Sequence, residues 1–92
     1  MAIEGITTSQ MRRAPRGAIY VWLNSSMSYP RKLAKDLGRD DLRIVPPAFF
    51  DSRSHIWDST RAVVLDHATV LNSEQLRSYE EYTAYLRRRH AP

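Results

Sequence analysis

The chain has no cysteine. That absence excludes disulfide staples, thiolate catalysis, iron–sulfur clusters and cysteine-ligated zinc together. Glycine is scarce too, with 3 in 92 residues. Neither G-x-G-x-x-G nor G-x-x-x-x-G-K-[ST] occurs, so the usual backbone cradles for dinucleotides and nucleoside triphosphates are missing. No apolar run approaches the ~20 residues that a membrane-spanning helix needs. The opening stretch MAIEGITTSQ does not join a basic region to an apolar one, so no secretory signal is expected. The expectation is a soluble, cytoplasmic protein with no cofactor and no membrane partner.

What is present fits a packed domain. The apolar fraction of 42% and charged fraction of 26% are too balanced for a disordered chain. A chain of this length buries roughly 60–65% of its unfolded surface, enough for one core. Residues 1–92 are therefore expected to form a single α/β domain, with residues 1–16 as a loose N-terminal arm. The net charge of +4, from 14 basic and 10 acidic residues, mildly favours acidic partners. The basic residues gather in three places: Arg12, Arg13 and Arg16; Arg31, Lys32, Lys35 and Arg39; and Arg87, Arg88 and Arg89.

The chain is organised around residues 17–38. Residues 18–23 are apolar on both sides of a period of two, with Ile19, Val21 and Leu23 on one side and Ala18, Tyr20 and Trp22 on the other. A strand with two apolar faces is covered on both, as central parallel strands are. Asn24, Ser25 and Ser26 make the turn. A helix follows, with Ser28 or Tyr29 as its N-cap, Pro30 in its first turn and Gly38 as the left-handed residue beyond its end. Ahead of the strand, residues 1–7 read as a lead-in. Thr7, Thr8 and Ser9 could cap a short turn over residues 10–14, which Pro15 would end.

Residues 42–45 form a second strand, stopped by Pro46 and Pro47. Residues 48–57 read either as a short helix turning Phe49, Phe50 and Trp57 inward or as a loop pinned by those aromatics. Residues 62–65 form a third strand that ends in Asp66 and His67. The last helix opens with a capping box, Asn72 with Gln75, and Leu71 and Leu76 are spaced for a hydrophobic staple. Its inward stripe is expected to be Leu76, Tyr79, Thr83 and Leu86.

The resulting order predicts a small three-layer α/β domain. Its short parallel sheet has about three strands in the order 2-1-3, with helices on both faces. Val21, Leu23, Ile44, Val63 and Leu65 should lie in the core. Both sheet edges should be open unless something covers them, which makes a homodimer a structural expectation.

Ligands of open α/β sheets gather at the carboxyl ends of the strands. There, Ser25, Ser26, Ser28 and Arg31, with Lys32, could bind an anion at the start of the first helix, or simply form the turn and the cap. Asp66 and His67 could serve a ligand or tie down a neighbouring loop. Ser25 or Ser26 with His67 and Asp66 has the residue types of a hydrolytic triad. It lacks the G-x-S-x-G elbow, and an Asp directly before its His is badly placed to orient the ring. His55, His67, Asp58 and Asp66 have no recognised metal-ligand spacing.

On the last helix, Tyr82 and Tyr85 fall outside the expected packing stripe, close to Arg88 and Arg89. Tyrosine and arginine dominate protein–protein hot spots. The same residues could instead stack on bases and meet phosphates, or be a solvated helix face.

The element order is similar to that of BRCT-like and Toprim-like domains, but the paired glycines and the Asp-x-Asp that mark those families are absent. In size and composition the chain resembles small regulatory or inhibitory accessory proteins, including those of phages and mobile elements. The functional expectation is a non-enzymatic interaction module for a larger protein or nucleoprotein, with Tyr82, Tyr85, Arg88 and Arg89 as its partner-binding residues. Nucleic-acid binding, or an anion or catalytic site at the strand ends, are the alternatives.

Overall fold

The structure, a computed structural model, describes residues 2–51 and 61–89, with side chains for 5–51 and 61–88. Helix α1 (Ala2–Arg13) leads into strand β1 (Ile19–Val21), helix α2 (Ser28–Asp36) and strand β2 (Arg43–Val45). A 3-10 helix (Pro47–Asp51), strand β3 (Val63–Leu65) and helix α3 (Ser73–Arg89) follow. The three strands are parallel, in the order β2-β1-β3.

Strand β1 is central because both of its faces are apolar. Ile19, Tyr20 and Val21 are each 0% exposed. Tyr20, with Ala18 and Trp22, packs among Met11, Ala14 and Ala34, so α1 and α2 cover that face. Ile19 and Val21 pack among Val45, Phe50 and Tyr82, so the 3-10 helix and α3 cover the other. Burial of Met11, Ile19, Val21, Val45 and Phe50 contributes about 1.5–3 kcal/mol each.

Leu23, expected in this core, is 38% exposed. The ladder ends one residue earlier, where the Trp22 N–H donates to the Val45 carbonyl at 2.8 Å. Asn24 Oδ1 then accepts the Ser26 N–H at 2.8 Å and turns the chain away from the sheet.

The N-terminal segment is no loose arm. Thr7, Thr8 and Ser9 lie inside α1, and Thr7 and Met11, with Ala14 just beyond its end, line its buried side at helical spacing. What holds it lies far along the chain. The buried Arg39 guanidinium donates to the Met11 carbonyl (2.6 Å), the Arg12 carbonyl (3.2 Å) and the Pro15 carbonyl (3.2 Å). It thereby satisfies carbonyls that a helix C-terminus leaves open and sets a cation against the negative end of the dipole. Asp41 holds Arg39 by two bonds, 3.0 and 2.9 Å, and also accepts the Gly17 N–H at 2.7 Å. The Arg39 bond, first, and the Gly17 bond hold the Asp41 carboxyl far below the usual carboxylate range.

Helix α2 begins one residue earlier than expected. Met27 occupies the cap position and makes no side-chain cap bond, so neither Ser28 nor Tyr29 caps it. Gly38, at φ +70°, takes the left-handed turn beyond the helix. The capping box of α3 forms: Asn72 Oδ1 accepts the Gln75 N–H at 2.8 Å, and Gln75 Oε1 accepts the Asn72 N–H at 3.1 Å. Residues 48–51 belong to the 3-10 helix, and the remainder of the expected second helix, to Trp57, lies outside the described residues. Among the described residues no helix is long and apolar enough to cross a membrane.

Candidate interaction surface

The strand ends contain two different arrangements. Ser25, Ser26 and Ser28 are exposed, with the backbone N–H of Ser26 engaged by Asn24. Arg31 is exposed one turn into α2, but it lines the grooves beside β2. Asp66 and His67, by contrast, are built into the fold. Asp66 is buried, and its Oδ1 accepts the Tyr20 hydroxyl at 2.5 Å while Oδ2 accepts the Ala68 N–H at 3.0 Å. Burial, and then the bond to Asp66 and its charge, hold the Tyr20 phenol far above its ordinary pKa. It therefore stays a hydrogen-bond donor at any physiological pH.

His67 faces α1. Its Nε2 lies 3.2 Å from Thr7 Oγ1 and 3.9 Å from Asp66 Oδ2, and its backbone N–H donates to Gln10 Oε1 at 2.8 Å. The hydrogen bonds of Asp66 and His67 tie the end of β3 to β1 and α1, and none runs to Ser25 or Ser26. Of the metal-ligand candidates, His55 and Asp58 lie outside the described residues. Among the described residues no group of three His, Asp or Glu side chains converges.

Helix α3 is rotated from the expected orientation. Tyr82, placed at the surface by its sequence position, is 0% exposed, and Leu76, placed inward, is 43% exposed. Ser78 and Tyr82 face the sheet, while Tyr79, Tyr85 and Leu86 pack around them. A phenol can take a core position when its hydroxyl finds an acceptor, and the Tyr82 hydroxyl donates to the Arg61 carbonyl. Phe50 meets Tyr79 edge-on, with centroids 5.7 Å apart. Tyr82 therefore offers no surface to a partner, and Tyr85 offers part of one. Arg88 is exposed, and Arg89 is the last residue of α3.

The surface not singled out from the sequence is the outer edge of β2, which among the described residues pairs only with β1. The Arg43 N–H donates to the Ala18 carbonyl, and the Val45 carbonyl accepts from Trp22, so both residues turn their main-chain groups toward β1. Successive residues of a strand alternate in this respect. The Ile44 N–H and C=O therefore point away from the sheet.

They point into a groove of about 550 Å³ lined by Arg31, Arg43, Ile44, Pro46 and Phe49. A second hollow of about 320 Å³ adjoins it, and Lys35 and Asp40 join Arg31 and Ile44 there. The Arg43 guanidinium lies over the Phe49 ring, 5.6 Å from its centroid, within cation–π range. The edge thus has cations on both sides: Arg31 and Lys35 from α2, and Arg43 beside the 3-10 helix. The sequence did hold a signal for it. A strand that opens with Arg and stops at two prolines carries the marks of an edge strand.

The chain matches no protein-family model, no curated protein and no solved structure, so the reading of its function rests on this geometry.

Proposed function

We propose that this protein is a non-enzymatic interaction module that binds a larger macromolecule through the β2 edge and its basic rim. One observation carries the reading: the outward main-chain pair of Ile44 opens into a groove flanked by Arg31, Lys35 and Arg43. An edge of this kind is a ready template for another chain. Support also comes from the groups that could have done chemistry. Asp66, Tyr20 and His67 are each engaged by hydrogen bonds that join β1, β3 and α1. The basic end of α3, with Tyr85, Arg88 and Arg89, is the second contact region, and the buried Tyr82 has no part in it.

The test is affinity capture of the tagged 92-residue chain from its native host, read by mass spectrometry, for three forms of the protein. The charge-reversed edge, Arg31→Glu with Arg43→Glu, should lose the specific partner. The α3 variant, Tyr85→Ala with Arg88→Glu, should retain most of it. Retention by the edge variant and loss by the α3 variant would move the contact surface to the helix. Retention by both would remove the module reading.

A further inference from the structure

We propose that the β2 edge receives a short, extended acidic segment of a protein partner, which adds to the sheet as a further strand beyond β2. This rests on the reading of that edge as the contact surface and specifies what fills it.

The main chain sets the form of the occupant. Ile44 presents one donor and one acceptor side by side, and a residue in an antiparallel hydrogen-bonded pair satisfies both. The strand has 3 residues and is followed by Pro46, which has no N–H to extend the ladder, so the added segment is short. The side chains set its charge. Ile44 packs on the face covered by α2, where Arg31 and Lys35 reach the edge, whereas Val45 packs on the face of the 3-10 helix, where Arg43 overlies Phe49. In an added strand, the residue opposite Ile44 would project toward Arg31 and Lys35, and its neighbours toward Arg43 and Phe49. Glutamate or aspartate is favoured at the first position. Acidic and apolar side chains are favoured at the flanking ones.

Two other occupants fit less well. A second copy paired through β2 would bring Arg31, Lys35 and Arg43 of both chains together, where like charges repel. A nucleic-acid backbone would satisfy the cations but would set phosphate oxygens against the Ile44 carbonyl, an acceptor facing acceptors.

The probe is a short capped peptide alternating valine and glutamate, fluorescently labelled and titrated against the 92-residue chain by anisotropy. Binding should weaken as salt rises. N-methylation of alternate residues, which removes strand N–H groups and keeps every charge, should weaken it about tenfold or more. The Arg31→Glu with Arg43→Glu variant should lose the glutamate peptide by a similar factor and gain the lysine counterpart. The N-methyl comparison uses the unaltered chain, so it stands even if that variant does not fold.

Equal binding of the N-methylated and parent peptides would overturn the strand proposal, leaving charge attraction alone. So would tighter binding of a single-stranded oligonucleotide at the same residues, or self-association that Arg43→Glu strengthens by relieving repulsion. If the peptides fail but the edge variant still loses its captured partner, the surface stands and the occupant is wrong. If the edge variant keeps its partner, the surface itself is wrong.

Discussion

The two edges of the sheet are finished in different ways. At β3, the Ile19 N–H donates to the Ala62 carbonyl and the Asp66 N–H to the Val21 carbonyl, so Val63 and Leu65 turn their main-chain groups outward. Gln10 of α1 braces the C-terminal end of that edge: its Nε2 donates to the Leu65 carbonyl at 3.1 Å and its Oε1 accepts the His67 N–H at 2.8 Å. At β2, the corresponding Ile44 pair opens into a basic groove. A side-chain amide braces the end of one edge as part of the fold, and among the described residues the other has no such brace. Partner binding should therefore respond to changes at β2, and stability to changes around β3, α1 and α3.

The largest effect is expected at the core under α3. Tyr82→Ala should cost on the order of 3–5 kcal/mol, as truncation of a buried aromatic does, whereas Tyr82→Phe should lose only about 1–2 kcal/mol with the bond to Arg61. Chemical denaturation measures both. A nearly unchanged Tyr82→Ala midpoint would return this side chain to the surface and revive the helix as the main contact.

The brace of α1 comes next. Arg39→Ala should lower the melting temperature by more than about 5 °C, because it leaves several carbonyls of the α1 terminus unsatisfied beside an unpaired Asp41. It should also raise hydrogen exchange at Leu65 and His67 as α1 loosens its hold on β3. The Asp41 partner adds a pH signature. Its folded pKa is depressed, so its stabilisation is present above the unfolded value of about 3.9 and is lost as pH falls further, toward the folded value. The melting difference between the parent and Asp41→Asn should be full at neutral pH and should narrow below about pH 4. A gap that stays constant in acid would show that the Arg39 bonds do not depend on that charge.

Gln10→Ala should have a smaller effect, about 1 kcal/mol, since it removes two partly solvated hydrogen bonds. It is also the sharpest way to break the contrast between the edges. The open β3 edge should become a pairing surface, seen as a rise in concentration-dependent association by sedimentation. Unchanged association would mean that Gln10 is not what blunts that edge.

Ser78→Ala should have the smallest effect. Among the described residues the Ser78 hydroxyl, buried in α3, has no hydrogen-bond partner, so its removal should be neutral or slightly stabilising by thermal melting.

These contrasts explain what could be read before the structure. The sheet order was legible because β1 is apolar on both faces, which only a central strand tolerates. The α3 start and the Gly38 turn were legible because each is coded by adjacent residues: Asn72 with Gln75, and a glycine beyond the helix. Helix α1 was not legible. It has few apolar residues, and its terminus is held by Arg39, which lies beyond β1 and α2 in the chain. The rotation of α3 was hidden for a related reason. A stripe drawn through Leu76 ranks side chains by hydropathy, and the Tyr82 hydroxyl is admitted to the core only by a carbonyl, that of Arg61, on a distant segment. For the candidate surface, the sequence places Arg31 at a helix start that suits an anion. Its place beside Ile44 and Arg43 depended on the packing of α2 against β2.

Among the described residues the Ile44 main-chain pair faces outward without a partner, whereas Gln10 braces the end of the opposite edge. Residue-resolved hydrogen exchange, with and without the valine–glutamate peptide, tests it most directly. In the free protein the Ile44 amide should exchange about tenfold or more faster than those of Arg43 and Val45, which point into the ladder. Added peptide should slow Ile44 and leave Val63 and Leu65 unchanged. An Ile44 amide already as protected as Val45, or peptide protection that appears at Leu65 instead, would contradict it.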